Sequence, residues 1–334
     1  MVGFPIDEGV LSFQNLYDEA IVSPAYDIWE LDGERQVDSR YLERFLRSRT
    51  ALAFYAAKLR GTTARRRSLP DDIFLSLAVP LPDLAEQGRI AETLNRVDAL
   101  RAKRRAALAQ VDTLTQSIFL DLFGDPRSNP RKWNTRPLRD LVVEFRYGTS
   151  NKSNSHGYPA LRIPNVVGGV IDISDLKLVP VDSSEFVRLK LHEGDVLFVR
   201  TNGNPDSVGR CAVFSDSVAA NSDHRSDDFI FASYLIRARL KGNEVNPVFL
   251  REFMLGAEGR RQLRRRSKTS AGQFNINTES LGAITIPLPP LDLQSSFVEL
   301  IGNVEKLKSA HHSSLTELDA LFAVLQHRAF RGEL

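Results

Sequence analysis

One cysteine, Cys211, and two methionines stand among 334 residues. A single thiol excludes an internal disulfide, a zinc knuckle and a CxxC redox pair. It falls in a strand-like run, Arg210-Cys211-Ala212-Val213-Phe214, with no base partner, and reads as a small buried hydrophobe. No apolar run approaches the ~20 residues of a membrane helix. The N-terminus, Met1-Val2-Gly3-Phe4-Pro5-Ile6-Asp7, has neither the basic start nor the apolar stretch of a signal peptide. A cytoplasmic protein is expected. Glycine-rich phosphate loops are missing as well, with no P-loop and no GxGxxG.

Short stretches that could pass for chemistry have simpler readings. Asn246-Pro247-Val248-Phe249 is close to a methyltransferase Asn-Pro-Pro-aromatic motif, but no Phe-x-Gly-x-Gly loop accompanies it. A helix start with Asn246 as cap and Pro247 in the first turn explains it. Asp175-Leu176-Lys177 fits half of a nuclease metal site, without the upstream Pro-Asp. His311-His312 lies within a helix, where neighbours point to different faces and make a poor metal pair. No catalytic residue, metal ligand or cofactor is therefore expected on this chain.

What is present is an ordinary globular composition, 42% hydrophobic and 26% charged, with a net charge of +2. The charge is clustered: Arg65-Arg66-Arg67, Arg101 with Lys103-Arg104-Arg105, and Arg260-Arg261 with Arg264-Arg265-Arg266. Each guanidinium can fork two donors onto an anion, which suits phosphate.

The strongest internal signal is a repeat. Val79-Pro80-Leu81-Pro82 recurs as Ile286-Pro287-Leu288-Pro289, 207 residues on. The same offset carries Leu84 to Leu291, Gln87 to Gln294, Leu100 to Leu307, Leu114 to Leu321 and Phe123 to Phe330, with no gap. Further back the offset is 208, taking Tyr26 to Tyr234, Leu42 to Leu250 and Phe45 to Phe253. In each copy a β-rich run ends in Pro-Leu-Pro, where proline stops the ladder, and a long helix follows. Apolar residues fall at Ile90, Leu94, Val97, Leu108, Val111, Ile118 and Leu122, and again at Phe297, Ile301, Val304, Leu315, Leu318, Phe322 and Leu325. These are heptad-like stripes, each interrupted near its middle, at 101–105 and 308–312. About 37 helical residues span on the order of 55 Å. So long an amphipathic helix must bury its stripe, and the matching surface is the other copy, so the two helices should pair.

The segment from Trp133 to Ile286 carries short strand signals, as at Val170-Ile171 and Val196-Leu197-Phe198-Val199, punctuated by Gly and Asn turns. With a helix signal after Asn246-Pro247 it reads as an α+β globule. The organisation expected is a partial module at 1–76, a helix region at 77–125, a complete module at 126–285 and a second helix region at 286–334. The stretch from Trp133 to about residue 208 has no counterpart in the first copy.

These features resemble the specificity subunits of type I restriction–modification systems. The resemblance covers essentially the whole chain. It rests on the two Pro-Leu-Pro segments followed by Gln87 and Gln294, and on the C-terminal run from Glu317-Leu318-Asp319 to His327-Arg328-Ala329-Phe330-Arg331-Gly332-Glu333-Leu334. Tyr147-Gly148-Thr149-Ser150, Leu161-Arg162-Ile163-Pro164-Asn165, Gly194-Asp195-Val196-Leu197-Phe198 and Ser23-Pro24-Ala25-Tyr26 are further landmarks. The resemblance implies two target-recognition domains separated by two long helices in an antiparallel coiled coil. Each domain reads half of a bipartite site in double-stranded DNA. The helices act as a ruler and docking surface for two methyltransferase subunits. It also implies that S-adenosylmethionine, ATP and Mg serve the partner methyltransferase and restriction subunits rather than this chain. The chain departs from the family in its first domain, shortened by about 75 residues. That leaves open a second reading, an assembly scaffold or half-subunit completed by a second specificity chain.

If DNA is the target, its readers should lie on polar loops between strands, where Arg can address guanine and Asn or Gln adenine. One group is Tyr147, Thr149, Ser150, Asn151, Lys152, Arg162 and Asn165; a second is Arg200, Thr201, Asn202, Asn204 and Arg210; a third is Lys268, Thr269, Ser270, Gln273 and Asn275. Arg264 and Arg265 are candidate phosphate anchors. The coiled-coil and methyltransferase-docking stripe is expected at Leu94, Val97, Leu108, Val111, Ile118, Ile301, Val304, Leu315, Leu318 and Phe322.

Overall fold

The computed structural model describes residues 1–3, 5–15, 17–31, 33, 36–59, 69–270 and 272–334, with the backbone alone at Asp7, Asn221 and Ser270. The Arg65-Arg66-Arg67 run lies outside the described residues. The chain forms two compact units, one made of residues 1–110 and 308–334, the other of residues 111–307. The division cuts through both long helices, Leu84–Phe123 and Leu291–Ala329, because each half-helix packs on the globule beside it.

In the first unit a three-stranded antiparallel sheet runs Leu11–Ser12, Val2–Gly3, Asp27–Ile28. Helices Ser39–Leu46 and Arg49–Lys58 follow. They enclose a core of Leu11, Phe45, Leu46, Tyr55 and Phe74, with Phe330, just past the second long helix, packed against it. The residues before Pro80 form no strand among the described residues. In the second copy Thr285–Leu288 is a strand because Asn134–Pro137 pairs with it. A ladder without a partner leaves its backbone groups unpaired, and no such partner is described for the first copy.

The second unit holds a four-stranded antiparallel sheet in the order Cys211–Val213, Val196–Val199, Leu235–Leu240, Val142–Tyr147. Successive side chains of a strand alternate between faces. Val196 and Phe198 therefore enter one core with Phe249, Phe253 and Phe297, while Leu197 and Val199 enter another with Phe214, Phe229 and Phe231. Covered on both sides, the strand is apolar throughout. Cys211 lies fully buried in it, and burial pushes its thiol up to about 12, as expected of a packing residue.

The repeat is visible as a shared hydrogen-bond device. The side chain of Gln87 accepts from Asp38 N at 2.9 Å and donates to the carbonyls of Gln36 and Pro82. Gln294 accepts from Asn246 N at 2.8 Å and donates to those of Glu244 and Pro289. Each glutamine thus ties the start of a long helix to the cap of a module helix and to the Pro-Leu-Pro turn. Asp38 and Asn246 cap those helices through their own side chains, so Asn246-Pro247 is a helix start. Both amides are buried. Truncating Gln294 to alanine strands a backbone N–H and should cost about 1–3 kcal/mol. Urea unfolding checks this, with Gln87→Ala expected to act in the same direction.

In each unit, facing residues rise in number on one long helix as they fall on the other, so the pairing is antiparallel. In the first unit Arg101 Nε donates to Asp319 at 2.5 Å, and Leu94 shares a cluster with Ala329. In the second, Phe119 and Phe123 meet Phe297 at ring distances of 5.6 and 5.2 Å. The expected polar interruption is also there. Arg101 lies 4.5 Å over the Phe322 ring, and Arg104 meets His311 Nδ1 at 3.0 Å. His311 is the repeat-mate of Arg104.

Candidate nucleic-acid interface

The second and third candidate groups, 58 or more residues apart in sequence, contribute strands to one three-stranded ribbon. Thr201–Asn202 pairs antiparallel with Gln273–Asn275, which pairs with Lys268–Ser270. Thr201, Asn275 and Lys268 share one rung; Asn202, Phe274 and Thr269 share the next. Lys268, Thr269 and Gln273 are exposed, and Thr201, Asn202 and Asn275 half-exposed. The loop leading off the ribbon, with Asn204 and Arg210, is held from beneath. The Arg260 guanidinium donates to the carbonyls of Pro205, Asp206 and Val208, while Arg210 donates to that of Asp206.

Beside the ribbon stands an aromatic–guanidinium pair. Arg200 lies 4.7 Å over the Tyr147 ring, and the Tyr147 hydroxyl accepts from Thr278 N at 3.1 Å. Arg200 also donates to Ser233 O. Next to Ser233 is Tyr234, 58% exposed, which sequence reasoning did not select. The signal available was its repeat-mate Tyr26, also exposed. An aromatic ring left in water at the same place in both copies is more informative than a single exposed residue.

Several candidates are structural. Thr149 is buried, its backbone N–H given to Phe231 O and its hydroxyl accepting from Asn151 N. Asn165 is buried too. It accepts from Arg162 N and donates to the carbonyls of Asp172 and Asp175. Neither can offer groups to a base edge, because short polar side chains saturate local backbone first. Arg162 is engaged with Asp175 at 2.8 Å, and this hydrogen bond holds the Asp175 carboxyl below its usual range. Ser150 and Lys152 are exposed, and Asn151 donates to Pro180 O.

The arginine cluster separates in the same way. Arg264 pairs with Asp206 at 2.7 Å, Arg261 with Glu258 at 2.6 Å, and Arg266 donates to Ala283 O. Arg265 is exposed and makes no ion pair among the described residues. Of the two candidate phosphate anchors, Arg265 is therefore the one without an ion pair among the described residues, with Lys268 nearby in sequence.

The helix stripe is taken up by the helix pair itself. Leu94, Val97, Leu108, Val111, Ile301 and Val304 are buried, and Ile118, Leu315, Leu318 and Phe322 half-buried. Residues that close the helix pair cannot also face a partner. Among the apolar groups left outside, which also include Leu84, Leu120, Leu291, Leu300 and Val324, are Leu100 (49% exposed) and Leu321 (46%) in the first unit, and Leu114 (39%) and Leu307 (46%) in the second. The antiparallel register sets Leu100 across from Leu321, and Leu114 across from Leu307. The 207-residue repeat turns one pair into the other.

Over 90% of its length the chain is 26% identical to the type I restriction enzyme EcoKI specificity subunit of Escherichia coli K12, covering 67% of that protein. The StySPI specificity subunit of Salmonella potsdam is 27% identical over 90% of the chain, of which 66% is covered. The chain is similar to the type I specificity subunits. It spans about two thirds of the length of these relatives. No family model matches. The type I restriction–modification S subunit of M. genitalium shares the fold, with a TM-score of 0.53 at 14% identity, over 88% of this chain and 73% of that one. The chain's architecture is α+β, as in that structure. No helix among its described residues is long and apolar enough to cross a membrane.

Proposed function

We propose that this specificity subunit binds double-stranded DNA through the ribbon and the Tyr147–Arg200–Tyr234 edge, and directs partner methyltransferase and restriction subunits to a bipartite site. The observation that carries the reading is the convergence of distant polar loops on one ribbon, rich in amide and hydroxyl groups and flanked by Arg200, Arg265 and Lys268. A β-ribbon fits the major groove, where Asn or Gln can address adenine and Arg guanine. Asn202, Gln273, Asn275 and Arg200 are the proposed readers; Arg265 and Lys268 are proposed to hold phosphates. In the first unit Tyr26 stands where Tyr234 does in the second. S-adenosylmethionine, ATP and Mg are assigned to the partner subunits, which supply the chemistry.

The test is adenine-methylation mapping in cells carrying the chain and its methyltransferase, with and without this gene. A bipartite methylated motif should vanish on deletion; unchanged methylation would sink the proposal. At finer grain, Lys268→Ala should weaken binding equally on all sequences and lower the salt slope by about one, whereas Asn275→Ala should cost about 1–3 kcal/mol at one base position. Competition binding at several salt concentrations separates the two. Indifference of both variants would remove the ribbon from the interface.

We further propose that the two equivalent leucine pairs receive two copies of the methyltransferase subunit. A surface built twice by an internal repeat presents the same face to two identical partners.

A further inference from the structure

The first unit contains a cavity of about 300 Å³ between the start of helix Arg49–Lys58 and the last turns of the second long helix, walled by Ser48, Arg49, Thr50, Gln326, His327 and Phe330. Gln326 is 9% exposed, lines the cavity, and its side chain makes no hydrogen bond among the described residues. Its amide opens into the cavity and offers a donor and an acceptor to a ligand with polar atoms. The first-turn N–H groups of the helix face the same space with their positive end of the dipole, and no acidic residue stands in that turn. Arg49 is exposed and makes no ion pair among the described residues.

The repeat shows what such walls receive. In the second unit Phe119 stands for Gln326, Phe123 for Phe330 and Glu258 for Thr50. There the chain's own segment 124–133 lies over Phe119 and Phe123. Trp133 Nε1 donates to Phe123 O at 3.0 Å, and only about 10 Å³ stays open beside Pro126 and Trp133. That helix carries its carboxylate internally, since Glu258 sits in its first turn and pairs with Arg261. The segment over it is basic, with Arg127, Arg131 and Lys132. In the first unit the signs are reversed. The wall is basic, the internal carboxylate is replaced by Thr50, and among the described residues no segment lies across the opening.

We infer that this cavity is a docking site for an acidic polypeptide segment of a partner, whose carboxylate reaches the Gln326 amide and the helix start beside Arg49. The occupant follows the course of 124–133 in the other copy with the opposite charge.

The probe is a fluorescein-labelled decapeptide of residues 124–133 carrying Arg127→Glu, Arg131→Glu and Lys132→Glu, titrated with the full chain by fluorescence anisotropy against the unaltered peptide. The acidic peptide should bind at least tenfold more tightly. Arg49→Glu, on the surface and harmless to folding, should invert the preference. Gln326→Phe, which installs the residue of the other copy, should fill the space and abolish binding. Equal affinities, no binding of either peptide, or binding that survives Gln326→Phe would overturn the inference. So would loss of affinity for duplex DNA in Arg49→Glu with the peptides unaffected, which would make the wall a phosphate contact instead.

Discussion

Replacing Arg237 by alanine is expected to destabilise the second unit by about 3–5 kcal/mol, the range for removing one partner of a buried charge network. Arg237 is 1% exposed, among the largest fully buried side chains. It is hydrogen-bonded to the Glu144 carboxylate and donates to the carbonyls of Arg188 and Lys190 at 3.1 and 3.0 Å. Asp195, itself buried, takes a two-pronged hydrogen bond from Arg239. The guanidinium thus joins the central sheet to the end of helix Ser183–Leu189. Alanine would leave the Arg188 carbonyl without a donor, the Lys190 carbonyl with Arg239 alone, and Glu144 short of one cation. Trp133 is the tryptophan of this unit and Trp29 that of the first, so urea unfolding followed by Trp133 fluorescence in a Trp29→Phe background reads the right transition. A loss below about 1 kcal/mol, the level of a surface pair, would show the network to be dispensable.

Acid makes an independent check. The hydrogen bond from Arg146, first, and the charge of Arg237 hold the Glu144 carboxyl below its ordinary value of 4.5. The carboxyl of Glu258 is depressed likewise, chiefly by Arg261. A carboxylate whose folded value lies below its unfolded one binds protons more readily when unfolded. Its stabilisation is complete above the ordinary Glu value and is lost as pH falls through the depressed one. The second unit should therefore weaken below that value, with a shallower acid limb in Arg237→Ala.

The other large effect concerns assembly. Leu100→Asp with Leu321→Asp should remove one methyltransferase copy from the complex and leave the other in place. Covering two half-exposed leucines contributes about 1.5–3 kcal/mol, so losing both weakens that end at least tenfold, before the cost of a carboxylate in an apolar contact. The repeat-mates Leu307→Asp and Leu114→Asp should do the same at the other end, and all four together should leave the chain without methyltransferase. Native mass spectrometry of reconstituted complexes counts the copies directly. Two copies on the quadruple variant at wild-type affinity would exclude the leucines from docking. These positions are already exposed, so folding should survive.

Much of this was legible before any coordinates. The 207-residue offset identifies Gln87 and Gln294 as equivalents, and they make the same three hydrogen bonds. Asn246-Pro247 reads as a cap and is one. Less legible was the division of labour among polar residues. Thr149 and Asn165 have the composition of readers and serve the backbone. Arg264 and Arg265 are adjacent, yet one is paired and the other is not. A side chain's type states what it can bond to, whereas its commitments depend on neighbours far away in sequence, such as Asp206 for Arg264.

The sequence by itself determined the repeat, the two long helices with their apolar stripes, and the helix cap at Asn246, because these depend on periodicity and on contacts within a few residues. Tertiary structure alone decided which leucines stay outside the helix pair, that residues 201–202, 268–270 and 273–275 form one ribbon, and that one copy of the helix-end groove is closed while the other is open. The reason is common to all three. Each depends on which surfaces meet, and a stripe or a loop pattern is the same string of residues whether its face is covered or in water.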